Sequence, residues 1–175
     1  MKKIFIIICV LSCSAWSEIR PWTSTLPAES IFAPSAGLAE RVEFWMKIYA
    51  HYDTNQGVFH LVDDPSFVLG EVDLGSIMQN SVLSSFEKKR RADRHLNKTK
   101  KELLEKWKIS DARKVRLQMG LKDRMEKAFF VSGKYLPMME DIFRKKGLPI
   151  ELTRIVFVES SFNVNAYSKV GASGL

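Results

Sequence analysis

With 175 residues, of which 46% are apolar and 11% aromatic, the chain has material for one ordinary domain or two small ones and for a packed core, which excludes a wholly disordered protein. Its formal charge of +7 is concentrated in one segment, and its only cysteines are Cys9 and Cys13. Both precede residue 18, so the body of the protein is predicted to rely on packing rather than on disulfides.

Met1-Lys2-Lys3 is a short cationic start, Ile4 to Leu11 is an unbroken apolar run, and Ser12 to Ser17 is small and polar around Trp16. This order predicts a secretory signal over residues 1–17, since the apolar run is about half of the ~20 residues that a membrane-spanning helix needs. Two fates are compatible with it. One is plain cleavage after Ala15 or Ser17. The other treats Val10-Leu11-Ser12-Cys13 as a loose lipoprotein box, with Cys13 acylated as the mature N-terminus. Residues 18–37 carry Pro21, Pro27 and Pro34 among Ser and Thr, which predicts an extended, poorly ordered linker.

An N-terminal accessory region follows over residues 38–109. Leu38, Val42, Trp45, Met46 and Tyr49 recur at i, i+4, i+7, i+8 and i+11, which predicts an amphipathic helix with this stripe in the core. The apolar runs 58–62 and 67–72 flank Asp63-Asp64-Pro65-Ser66 and predict a small β-hairpin. His51, His60 and His95 are too scattered to suggest a metal site.

Residues 87–108 hold ten Lys and Arg against four acids, while Leu96, Leu103 and Trp107 keep helical spacing. A long helix is predicted, with Glu87–Arg91 and Glu102–Lys106 as favourable i, i+4 pairs. Its cations are read either as a solvated face or as an attraction to a polyanion; in an exported protein that polyanion is cell wall or anionic lipid, not nucleic acid. Ser110 is then predicted to cap a helix carrying Val115, Met119, Met125 and Phe129 as far as Ser132-Gly133. Another is predicted over residues 135–146 with Leu136, Met139, Ile142 and Phe143 inward; Gly147 closes it and Pro149 opens the next. The fold class expected is therefore mainly α.

In the helix predicted from Ile150 to Ser160, the stripe Leu152, Ile155 and Val156 continues onto Glu159. Partial burial and the negative end of the helix dipole would both raise the pKa of that carboxyl, the setting of a general acid. The competing reading has Glu159 facing solvent or pairing with Arg154 or Lys169. Ser160 and Ser161 lack a nearby His, and no nucleophile elbow or phosphate loop is present. No acid follows Glu159, so a two-carboxylate hydrolase would need its partner from elsewhere.

The segment from Gly147 to Leu175, with Glu159-Ser160-x-Phe162 followed by Ala166-x-Ser168-x-x-Gly171-Ala172-x-Gly174-Leu175, resembles the start of the catalytic domain of the lytic murein transglycosylases. Ser132 to Pro137, and Phe44-Trp45 through Tyr49, also fit a membrane-bound branch of that family. The resemblance implies that residues 110–175 begin a lysozyme-like α-helical domain that cleaves the β-1,4 bond between N-acetylmuramic acid and N-acetylglucosamine. It also implies Glu159 as the single catalytic acid/base, Ser160, Ser168 and Gly171 as groove-shaping substrate contacts, peptidoglycan strands as partner, and no metal or cofactor. Val164 stands where the family usually has proline. The family motif continues into further groove-forming helices beyond the last residue here, so the resemblance implies a catalytic domain cut short and little activity from the 175-residue chain. The rival expectation is a non-catalytic wall-associated protein that binds through its helices.

Overall fold

The computed structural model describes residue 32 and residues 34–166. The predicted signal segment with Cys9 and Cys13, most of the linker, and the candidate groove residues Ser168 and Gly171 lie outside the described residues. Gly37–Leu175 forms one unit and Met1–Ala36 another.

The described part of the larger unit is mainly α-helical with a small antiparallel sheet, as the sequence predicts. Helix α1 spans Ala39–Ala50, strands β1 and β2 span Gln56–Leu61 and Val68–Asp73, and the short α2 spans Gly75–Met78. The long α3 runs from Ser85 to Lys106, β3 from Val115 to Met119, and α4, α5 and α6 cover Lys122–Ser132, Leu136–Lys145 and Ile155–Glu159.

The expected hairpin is present, with β1 and β2 paired antiparallel from Gln56↔Asp73 to His60↔Val68 around a bulge at Phe59/His60. In the turn, the Asp64 carboxylate accepts from both the amide and the hydroxyl of Ser66. The expected helix from Ser110 does not form as one piece. Val115-Arg-Leu-Gln-Met119 alternates apolar and polar residues, and this period of two adds β3 to the free edge of β1, giving the order β2-β1-β3. Spacing of four between Val115 and Met119 suits a helix as well as a strand; pairing with β1 decides between them. Asp111, not Ser110, caps the short 3-10 turn Ala112–Lys114 by accepting from the Arg113 amide.

Successive residues of the central strand face opposite sides, and both sides are covered. Val58 packs with Phe44 and Ile48 of α1, whereas Phe59 packs with Ala92 and Leu103 of α3 and with Leu69, Val72 and Val115. Helix α1 therefore buries Phe44 and Ile48 and not the stripe the spacing singled out: Leu38, Val42 and Trp45 are exposed and Met46 and Tyr49 half-buried. Apolar residues lie on two faces of this helix, and the sheet takes the one whose side chains fit between Val58 and Leu121. Ser84 starts α3 by accepting from the Glu87 amide, and the helix keeps Ala92 and Leu103 inward.

A third cluster joins the last three helices: Ala128 of α4, Phe157 of α6 and Phe162, with Leu136 and Met139 of α5 packed against them. Ile142, expected inward, is exposed, and so is Phe129. Gly147, at φ 67°, ends the α5 region in a left-handed conformation suited to glycine.

Tyr52 ties the connection after α1 to the sheet by donating its phenol hydrogen to Glu71 on β2. Burial first, then that bond and the Glu71 charge, push its pKa up to about 12. A raised phenol pKa means that the folded state holds the proton more tightly. The stabilisation is fully present below the ordinary value of about 10 and is lost as pH rises through about 12. A phenolate absorbance titration is expected to show one tyrosine ionising near the top of that window, and Tyr52→Phe to remove it. Complete ionisation of the wild-type tyrosines well below pH 12 would refute the assignment.

Candidate active site

Glu159 is the last residue of α6, and the way the chain enters that helix decides where its carboxylate goes. The segment Ile150–Arg154 is a 3-10 helix rather than the first turns of a continuous α-helix. Its fold depends on Thr153, which is buried, donates its hydroxyl to the Ile150 carbonyl at 2.7 Å and accepts from Arg154 at 2.8 Å. Arg154 also pairs with Glu140 of α5.

A 3-10 helix turns about 120° per residue where an α-helix turns about 100°. Over five residues the difference is about 100°, one full α-helical position. The deepest burial accordingly falls on Thr153 and Phe157, with Leu152 and Val156 half-buried beside them and Val156 still packed against the third cluster. Ile155 and Val158 are left 54% and 61% exposed, and Glu159 is exposed as well. The burial expected for the carboxyl is thus not present. Arg154, one of its expected partners, is engaged by Glu140, and Lys169 lies outside the described residues. Among the described residues no hydrogen bond or ion pair restrains Glu159.

Beyond α6 the chain reverses through two consecutive non-glycine residues with left-handed backbone, Ser161 at φ 51° and Phe162 at φ 56°. Each such residue costs about 1–2 kcal/mol. Burial of Phe162, only 1% exposed, offsets that strain: its ring stacks on Tyr135 at 6.5 Å and meets Phe157 edge-on at 4.7 Å. Ser160, half-buried, donates its amide to the Val156 carbonyl and accepts from the Asn163 amide through its own carbonyl. Asn163 then turns the loop by accepting from the Asn165 amide. The Ser/Asn loop after the candidate acid is therefore held by backbone bonds, by side-chain bonds of Ser161 and Asn163 and by one anchored ring, and Ser160 follows Glu159 at its start.

Sequence spacing did not connect α1 with this end of the molecule. Tyr49 of α1 feels the charge of Glu159: burial first, and that carboxylate second, hold its phenol pKa above the usual value. The aromatic at i−4, Trp45, has its ring 6.1 Å from that of Tyr49. The signal in the sequence was the i, i+4 aromatic pair itself, read as core because nothing local distinguishes a packed stripe from an exposed one.

On α3 the predicted acid–base pairs take other registers. Glu87 pairs with Arg90, Glu102 with Lys98 and Glu105 with Lys101, while Lys100 donates to the Val115 carbonyl. Lys89, Arg91 and Arg94 are exposed and carry no ion pair among the described residues. His60 is buried in β1 against Phe44, and among the described residues no group of three or more His, Cys, Asp or Glu side chains is placed to hold a metal ion. No helix among the described residues is long and apolar enough to cross a membrane.

Compared with known proteins, the chain matches no family model, no curated protein and no solved structure.

Proposed function

We propose that Glu159 is the acid/base of a peptidoglycan lytic transglycosylase. The observation that carries the reading is an unrestrained carboxylate at the C-terminal end of α6, before a tightly held Ser/Asn loop, in the segment whose residues resemble that family. In the reaction, the Glu159 carboxylic acid gives its proton to the glycosidic oxygen as the bond from C1 of the muramic sugar to that oxygen breaks. The resulting carboxylate takes the proton of the C6 hydroxyl, whose oxygen bonds to C1. Water is not consumed, and a 1,6-anhydro end and a free hydroxyl on the leaving sugar result. The nucleophile belongs to the substrate, so one carboxylate serves both steps, and no metal or cofactor is required.

Exposure of Glu159 in the free protein fits this role through the substrate. A glycan strand lying over α6 removes the carboxyl from water, and desolvation then favours the protonated acid. Ser160 shapes the groove floor next to it, with Ser168 and Gly171 as further contacts, and the protein acts in the envelope after export, with Cys13 the residue to carry a lipid if it is anchored. The test is digestion of purified sacculi with mass analysis of the products. Both the 175-residue chain and a version extended by the further helices of the family domain are assayed. Anhydro ends released by the extended version support the reading; reducing ends alone, or no release from either, overturn it.

The exposed cations of α3 favour a second reading, a wall-associated binding protein. Charges on an exposed face are screened within ~8–10 Å at physiological ionic strength. Binding to sacculi is therefore expected to weaken steeply with salt, and to weaken when Lys89, Arg91 and Arg94 are neutralised together. Salt-independent binding, unchanged in that triple variant, would leave α3 as a solvated helix only.

A further inference from the structure

Helix α1 carries an aromatic surface that lies largely outside the core, touching it where the Trp45 ring meets Phe44 edge-on. Trp45 is 39% exposed although it is among the largest apolar side chains of the fold, and the Tyr49 ring lies one turn further on at 33° to it. Two rings so arranged make a shallow surface two rings long, continued along the helix by Val42. Its flanks are electrically balanced: Glu43 pairs with Lys47 at 2.8 Å, and Arg41 lies against Asp64 and the Asp63 carbonyl. Neither a strong anion nor a strong cation is selected by such a face. At its far end the Tyr49 hydroxyl supplies a hydrogen-bond donor, and burial first and the Glu159 charge second hold that phenol's pKa above the usual value.

Flat apolar rings, neutral flanks and a polar end suit one ligand class in particular. A pyranose presents an apolar face of C–H groups and a rim of hydroxyls; the face packs on an aromatic ring and the rim bonds to groups at its edge. An acyl chain would make no use of the Tyr49 hydroxyl, and flanks whose charges are already paired offer a phosphate-bearing strand no free cation. We propose that Trp45 and Tyr49 form a stacking platform for a sugar ring of the glycan strand, so that the N-terminal helix supplies part of the substrate site. The proposal rests on the reading of Glu159 as the acid that acts on that strand.

Binding of the full chain to chitohexaose and to peptide-free glycan strands, followed by calorimetry, tests the platform. Trp45→Ala is expected to weaken binding about tenfold or more, a change of about 1.4 kcal/mol or more. Trp45→Phe, which keeps a ring, is expected to restore most of it, and Trp107→Phe, on an aromatic beside α3, to leave it unchanged. Far-UV circular dichroism of the Trp45 variants should match the wild type, since this indole meets the core only by its edge contact with Phe44, 5.4 Å between ring centres. Equal sugar binding by wild type and Trp45→Ala, or no sugar binding by the wild type, overturns the proposal. So does a Trp45→Ala variant that changes only self-association in sedimentation, which would make the face a contact between copies. Loss of sugar binding in Trp45→Ala without any anhydro product from the wild-type or extended chain keeps the platform and removes only the catalytic reading.

Discussion

Glu159→Gln is expected to lower the release of anhydromuropeptides about 10²–10⁴-fold in a family-length version of the chain, the range spanned by a positioned general acid or base. Glutamine keeps the shape and the hydrogen-bonding edge but has no proton to give to the glycosidic oxygen and no carboxylate to receive the one from C6. The same change should leave the melting temperature where it is. The Glu159 side chain is exposed and has no hydrogen bond or ion pair among the described residues, so its replacement breaks no side-chain bond of the fold. Activity and stability are thus expected to separate cleanly at this position. Parallel measurement of product release and thermal unfolding checks both. Activity that survives in Glu159→Gln would remove it from the mechanism, and a large loss of stability would show that it holds the loop instead.

Gly120→Ala is expected to do the reverse, destabilising the fold without touching any candidate site residue. Gly120 is buried where β3 turns into α4, and a methyl group there would fall inside the backbone oxygens of Tyr52 and Asp53. Those oxygens cannot retreat cheaply. The Tyr52 carbonyl accepts from the Lys122 amide at 3.0 Å and that of Asp53 from the Gln56 amide at 3.1 Å. Gly120 itself donates to Gln56 at 2.8 Å, and Leu121 donates to Ile48 at 2.8 Å, so one junction joins α1, β1, β3 and α4. Forcing it apart is expected to cost about 3 kcal/mol, the upper part of the usual range for overpacking. For a protein of this size that corresponds to a fall of about 6–12 °C in melting temperature. A variant that melts with the wild type would mean that the junction relaxes freely.

The elements that were legible in the sequence are those whose pattern is local and unambiguous. Helix α3 has a charged face and a sparse apolar one, and the hairpin has two β-rich runs around an Asp-Asp-Pro-Ser turn. Where the sequence misled, two solutions shared one pattern. Val115 and Met119 suit either period, and only the open edge of β1, 54 or more residues earlier, makes them a strand. Helix α1 offers Phe44 and Ile48 on one face and Trp45 and Tyr49 on another, and the choice is made by the shape of the sheet. At the candidate site, position was readable and orientation was not. Glu159 ends a helix as expected, but the 3-10 entry set by Thr153 rotates it out of the core. No periodicity reports that, because the number of residues per turn is itself the unknown.

The order of strands in the small sheet bears on how the chain is made. Its two outer strands reach the central one at very different times during synthesis: Val58 finds Glu71 within the hairpin, whereas Gly57 must wait for Met119. Between those events the whole of α3 is produced. Until residue 119 clears the ribosome, β1 keeps one edge unpaired and Phe59 lacks Val115 over it. Such a half-built sheet is the form most open to strand pairing with another chain. The late strand carries Arg116, and the α3 stretch that precedes it is densely cationic; like charge beside an open strand edge disfavours pairing between copies of the chain.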